Sequence, residues 1–391
     1  MIDWQPRAAA YADQLAADGV LTDPAWQTVF ATTPRHLFVP RYWALNEYNS
    51  PSTLIDGADP DQRETWLDAV YSDRFLITQW APAGDSDGTA IRVVTSSASQ
   101  PCTVAVMLDR LAVQDGHTVL EIGTGTGYNA ALLSTRLGAG NVSSVDIDPE
   151  LIHQADVNLH AGGYRPRLRT GDGAAGLPDA APFDRIIATC SIDHVPPAWI
   201  DQLAPGGRLV APLTFGGALA VLDKTDHDEV NGHIDPFGVY FMPLRDTAEQ
   251  PKPASIAPDL PDAAPVGARY TGFTDVDPRA LDDPDFLLWL SLHLPGVHLA
   301  PTYEDGEPTE IIVYTAQHRA TCTYRPTNDG LWPVTQQGHR PWDTVETAWR
   351  TWDRNGRPPR ARLGITVEKD GRQRMWLDEP TSPHTWPLPT T

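Results

Sequence analysis

Thr118-Val119-Leu120-Glu121-Ile122-Gly123-Thr124-Gly125-Thr126-Gly127-Tyr128 is the stretch that decides the fold. A short apolar run closes on an acid, three glycines follow at alternate positions, and a helical pattern begins at Tyr128. This is a strand delivering the chain into a tight turn beneath a nucleotide-like ligand. Glycine is needed there because the backbone approaches the ligand closely and visits dihedrals that a Cβ forbids. Working outward, Ser99-Gln100-Pro101 lies upstream, Asp146 closes the next apolar run, and Gly171-Asp172-Gly173 follows the one after.

Between residues 100 and 222 the pattern alternates regularly. Helices are expected at 101–113, 127–137, 149–161 and 196–203, and strands at 118–122, 141–146, 165–169, 183–189, 206–212 and 218–223. Such alternation predicts an α/β, doubly wound, mainly parallel sheet. Ligands in these sheets bind outside the carboxyl ends of the strands, where the glycine turn, Asp146 and Asp172 all fall.

A nicotinamide fingerprint spaces its last two glycines by two residues. Here Gly123, Gly125 and Gly127 are evenly spaced. With Glu121 before the turn, Asp146 after the second strand and Asp172 after the third, the set fits S-adenosylmethionine better. Asp146 is expected to accept from both ribose hydroxyls, and Asp172 with the Gly173 amide to meet the adenine edge. Aspartates at such positions also cap turns and helices, and that role stays open for each of them.

Composition narrows the function. The 391 residues suggest two domains. Against 29 basic side chains stand 51 acidic ones, a net charge of −22, which argues against nucleic acid or an anionic membrane as partner. Cys102, Cys190 and Cys322 are far apart and form no paired metal spacing. The N-terminus lacks the basic and apolar segments of a signal peptide, and no apolar run is long enough to span a bilayer, so a cytoplasmic protein is expected.

Flanking regions are less regular. Residues 6–19 suit an amphipathic helix, Asp23-Pro24-Ala25 opens another, and Thr33 to Arg41 reads as extended, whereas 42–94 carries no clear period. Five prolines among small and acidic residues at 249–266 mark a linker. Beyond it, Thr309–Tyr314 and Ala320–Tyr324 read as strands, Pro341–Asp353 as a helix, and Arg362–Lys369 with Gln373–Leu377 as a hairpin about Asp370-Gly371. Seven of the thirteen tryptophans lie past residue 280, enough for a small core of their own. The expected division is therefore an N-terminal extension at 1–98, a cofactor domain at 99–248, the linker, and an α+β domain at 267–391.

Residues 99–213 resemble the protein-L-isoaspartate O-methyltransferases. The likeness is carried by Ser99-Gln100-Pro101, Val119 to Tyr128, Gly171-Asp172-Gly173, Phe183 to Thr189, and Gln202 to Pro212 with its Gly-Gly-Arg-Leu-Val-Ala-Pro ending. Arg35-His36-Leu37-Phe38-Val39-Pro40 resembles that family's Arg-x-x-Phe-Val-Pro element. The resemblance implies a Rossmann-like methyltransferase fold with a seven-stranded sheet and S-adenosylmethionine as cofactor, S-adenosylhomocysteine being its product. It implies that Ala98, Glu121, Gly123, Thr124, Gly125, Thr126, Gly127, Asp146, Ile147, Asp172 and Gly173 form the cofactor site. Ser99 is the implied catalytic residue: its hydroxyl orients the accepting carboxylate and is not a nucleophile. A helix-capping role for Ser99 before Pro101 is compatible with this.

The length beyond that core, with Arg362 to Glu368 and Trp376-Leu377-Asp378, resembles homologues encoded beside ribosomally made, modified peptides. That likeness implies methylation of one aspartate in a crosslinked peptide and closure of the ester to aspartimide, with the C-terminal domain recognising the peptide. The alternatives are repair of isoaspartyl residues in damaged proteins, or a non-catalytic peptide-binding partner. Gln100 and His194 are candidate substrate contacts, while Asp226-His227-Asp228 with His233 match no metal spacing and read as solvated loop. Trp342, Trp349 and Trp352 have helical spacing and read as core.

Overall fold

In the computed structural model the described residues are 3–46, 50–86, 89–225, 229–246, 269–316 and 318–388, with the side chains of 83–86 and 89–91 left aside. The proline-rich linker at 249–266 and the Asp226-His227-Asp228 triplet therefore lie outside the described residues.

The N-terminal part opens with α1 (Gln5–Ala17) and α2 (Pro24–Thr32). Pro24 occupies the first turn of α2, and Asp23 caps it by accepting the Ala25 N–H. Residues 33–41, expected to be extended, instead make a 3-10 turn at Arg35–Leu37. Next come β1 (Arg41–Leu45), β2 (Pro51–Asp56), α3 (Arg63–Val70), β3 (Leu76–Ser86) and β4 (Thr89–Ala98), whose strands pair in the order β2-β1-β3-β4. The stretch with no legible period is thus an antiparallel sheet whose bulged β3–β4 ladder breaks strict alternation.

The central part runs α4 (Pro101–Leu111), β5 (Val119–Ile122), α5 (Tyr128–Leu137), β6 (Val142–Asp146), α6 (Pro149–Ala161), β7 (Arg167–Thr170), β8 (Phe183–Ala188), α7 (Pro197–Gln202), β9 (Leu203–Pro212), β10 (Leu219–Lys224) and β11 (Val230–Ile234). These elements fall where the spacing places them, give or take a turn, except β11: His233, expected in a solvated loop, lies in this strand paired with Val221 of β10. Strands β9, β8, β5, β6 and β7 are mutually parallel, and β10 and β11 continue the sheet antiparallel beyond β9. Every residue of β5 and β6 is buried, as a doubly covered parallel strand requires.

The C-terminal part contains β12 (Arg269–Thr274), α8 (Pro284–His293), β13 (His298–Glu304), β14 (Glu307–Tyr314), β15 (Arg319–Thr323), β16 (Trp332–Gln337), α9 (Pro341–Arg354), β17 (Leu363–Val367), β18 (Gln373–Leu377) and β19 (Thr385–Pro387). Strands β12 to β16 form their own five-stranded sheet under α8 and α9, with Trp342 and Trp352 buried in that core.

The hairpin about Asp370-Gly371 forms as expected but not where expected. Strand β17 pairs antiparallel with β11, so the central sheet has ten strands among the described residues, ordered β19-β18-β17-β11-β10-β9-β8-β5-β6-β7. The expected seven-stranded sheet is present as β11-β10-β9-β8-β5-β6-β7, and β17, β18 and β19 extend it from the C-terminal part. All five residues of β17 are buried, which marks an interior strand rather than an edge. One apolar core runs through both parts, from Leu120 and Ile186 to Trp289 and Met375. Buried Arg360 reinforces the join by donating to Asp285, Pro284 O and Gly217 O.

Candidate active site

At the carboxyl ends of β5 and β6 the glycine turn adopts the left-handed dihedrals its composition predicts. Gly123, Gly125 and Gly127 have φ of 96°, 51° and 86°. Their roles differ. A Cβ on Gly125 would meet only Ser96 Oγ at 3.9 Å, so this glycine faces open cleft, whereas one on Gly127 would press on Ala155 and Leu159 of α6 at 3.2 and 3.3 Å.

Asp146, at the end of β6, is nearly buried and accepts the Gly125 amide at 2.9 Å and the Asp148 amide at 3.1 Å. Burial raises its pKa, while these two amides and the Arg245 charge oppose the rise. Each carboxylate oxygen retains acceptor capacity towards the cleft.

Glu121 is fully buried. Its carboxylate accepts from Asn129 Nδ2 at 2.8 Å and Ser144 Oγ at 2.6 Å, and Thr124 Oγ1 lies 2.6 Å from the same serine hydroxyl. Burial pushes the Glu121 carboxyl up to about 7 despite those donors. It lines the cleft beside the turn and, through Asn129 and Ser144, holds β5, β6 and α5 together. Gly173 lines the cleft below Leu244, but Asp172 does not: it is exposed and caps the 3-10 turn Gly173–Ala175 by accepting the Ala174 amide.

Ser99 sits at the corner between β4 and α4. The helix cap is Gln100 rather than Ser99, and the donor groups opening α4 are met from a distance: Asp73 accepts the Cys102 amide at 2.8 Å and Gln100 Nε2 at 2.9 Å. Ser99 is thereby relieved of capping, and among the described residues its hydroxyl has no hydrogen-bond partner. It lines the cleft together with Ala98 and Gln100.

These groups share one cleft of about 1590 Å³, floored by the glycine turn, Asp146 and Ile147 and walled by Ser99. A pocket for one small molecule occupies roughly 300–1,000 Å³, so there is room for a cofactor and part of a second reactant. The cleft suits S-adenosylmethionine on its own chemistry: a buried acceptor pair at Asp146, a Cβ-free cradle at Gly125, and the apolar Ile147, Leu151 and Leu244 for a base. Gly127, Asp172 and His194 do not line it. The His194 ring pairs with Asp193, and it is Asp193 that faces the cleft.

Three contributors are absent from the sequence reading. Thr189 Oγ1 donates to Gly123 O at 2.6 Å and fixes the turn from β8. The segment Phe237–Asp246, whose apolar run has no helical or strand period, closes one side of the cleft, tied to Ser191 through Met242 O and Leu244 N. Leu292, Pro295, Val297 and Leu299, from α8 to β13, add a wall from the C-terminal part. Exposed Phe75, Tyr240 and Met242 ring the mouth. No helix among the described residues is long and apolar enough to cross a membrane.

Comparison with known proteins agrees with this geometry. Residues 62–249 match the family model described as protein-L-isoaspartate(D-aspartate) O-methyltransferase. Protein-L-isoaspartate O-methyltransferase of Gloeobacter violaceus (strain ATCC 29082 / PCC 7421) is 42% identical over 244 residues, covering 61% of this chain and 98% of the relative. Protein-L-isoaspartate O-methyltransferase 1 of Anaeromyxobacter sp. (strain Fw109-5) is 47% identical over 152 residues, covering 37% of this chain and 70% of the relative. A solved structure described as a protein-L-isoaspartate O-methyltransferase shares the fold at a TM-score of 0.52 and 20% identity, covering 95% of this chain and 99% of its own.

Proposed function

Because the chain belongs to the protein-L-isoaspartate O-methyltransferase family and is an S-adenosylmethionine-dependent protein carboxyl methyltransferase, we propose that it esterifies the free carboxylate of isoaspartyl residues in peptides and proteins. The observation that carries this reading is the single cleft joining the Asp146–Gly125 cradle to the unpartnered Ser99 hydroxyl.

When bound, the cofactor would supply an electrophilic methyl group on a sulfonium, the methyl passing to the acceptor as its sulfur leaves as the neutral thioether. The protein's own part is to place the acceptor. Ser99 Oγ–H donates to one oxygen of the acceptor carboxylate, leaving the other to attack. A carboxyl with a pKa near ~4 is ionised at neutral pH, so no general base is required. Alignment and exclusion of water then provide the acceleration, worth about 7–11 kcal/mol in ideal cases.

The C-terminal addition has a counterpart in fold: a solved structure described as a protein-L-isoaspartate O-methyltransferase matches nearly the whole chain. A second reading, methylation of one aspartate in a crosslinked ribosomal peptide and closure to aspartimide, draws support from the wall that α8 and β13 contribute, which would suit a bulky, constrained partner. Intact mass spectrometry of isoaspartyl, aspartyl and crosslinked peptides incubated with the protein and S-adenosylmethionine separates the two. Preferred gain of a methyl on the isoaspartyl peptide upholds the first reading; methylation of the crosslinked peptide alone, followed by methanol loss, replaces it with the second.

A further inference from the structure

Arg35 is fully buried, yet no carboxylate among the described residues lies within ion-pairing distance of it. Its guanidinium meets four carbonyls instead. One terminal nitrogen donates to Val70 O at 2.7 Å and Ser72 O at 3.2 Å, the other to Arg74 O at 3.2 Å and Ser99 O at 3.0 Å. The same cation packs 5.7 Å from the centre of the Tyr128 ring, on the residue that follows the glycine turn.

The segment thus gathered, residues 70–74, returns the grip through Asp73, which holds Gln100 and the Cys102 amide. Ser99 is pinned from both sides, by Arg35 through its own carbonyl and by Asp73 through its neighbours. Phe75, next along, is 53% exposed at the cleft mouth. Burying a cation against dipoles alone is costly, and a planar five-donor fork reaches acceptors in directions that an ammonium cannot.

We propose that Arg35 is a positioning residue for methyl transfer: it fixes the Ser99 corner and the 70–75 segment against the cofactor turn, and so sets the distance from acceptor carboxylate to methyl group. The inference rests on the reading above that Ser99 meets the acceptor.

The test uses the full-length Arg35→Lys and Asp73→Asn variants, with Arg185→Lys as control. Arg185 also binds carbonyls, those of Leu111, Ala112 and Asp184, at the opposite end of the sheet. For Arg35→Lys, kcat should fall by up to about 10²-fold, the effect of an ångström-scale misplacement, with S-adenosylhomocysteine affinity unchanged. Asp73→Asn should show a smaller fall of the same kind, and Arg185→Lys a lower melting temperature with unchanged kcat.

Hydrogen exchange provides the readout independent of turnover. In Arg35→Lys, residues 97–103 and 70–75 should exchange faster while 121–127 stay protected. Unchanged kcat and exchange in Arg35→Lys, or loss of cofactor affinity in step with kcat, would overturn the proposal. Should the wild type methylate no peptide, the functional reading falls while exchange at 97–103 still decides whether Arg35 braces Ser99.

Discussion

The Asp146 carboxylate and the Gly125 amide are joined by a 2.9 Å hydrogen bond, so the group expected to bind the ribose also shapes the turn beneath the cofactor. Asp146→Ala removes both contributions at once. Hydrogen bonds to a charged acceptor are worth about 1.5–3 kcal/mol each. S-adenosylhomocysteine affinity should therefore fall at least ~10-fold by calorimetry, with Asp146→Asn losing less because its carbonyl still accepts one amide.

Gly125 and Gly127 should respond differently to alanine. Gly125→Ala meets nothing closer than 3.9 Å in the protein, so its Cβ takes ligand space: cofactor affinity falls sharply, against a left-handed penalty of about 1–2 kcal/mol in stability. Gly127→Ala adds crowding against Ala155 and Leu159, and overpacking of that kind costs about 1–3 kcal/mol more. Thermal melts with and without ligand separate the two effects.

Glu121 predicts a pH dependence of opposite sign to that of an ordinary ion-paired carboxylate. Its folded-state pKa, about 7, lies above its usual 4.5. Stability from the neutral form is complete below the lower value and is lost as pH rises through the upper one. In the ligand-free protein, melting temperature relative to Glu121→Gln should decline from pH 5 to pH 8. A flat difference would mean the carboxyl is ionised throughout.

Ser99→Ala should leave cofactor affinity unchanged and lower kcat by about 10- to 100-fold, the value of one lost hydrogen bond to a charged acceptor. Stability should not fall, because Asp73 and not Ser99 serves the start of α4.

A chain ending after Asp246 should not fold cleanly. It loses β17–β19, leaves β11 with one edge unpaired and opens the shared core. Aggregation on expression is expected; a monomeric, cooperative melt would show the C-terminal part to be dispensable.

The sequence by itself determined the cofactor half of this protein. Glycines at alternate positions, the acid that ends β6 and a regular helix–strand period are local requirements, so the turn of Gly123 and Gly125 and the place of Asp146 beside it were readable one residue at a time. Tertiary structure decided what depends on distant partners. Asp172 and His194 have the chemistry of site residues but turn away, one to cap its own turn and the other to its neighbour Asp193. Arg35 has its role only because four carbonyls 35 to 64 residues away in sequence converge on it. Likewise, nothing local in Leu363–Val367 says which sheet it joins: an apolar strand pairs with whatever buried edge the fold presents, and here that edge is β11.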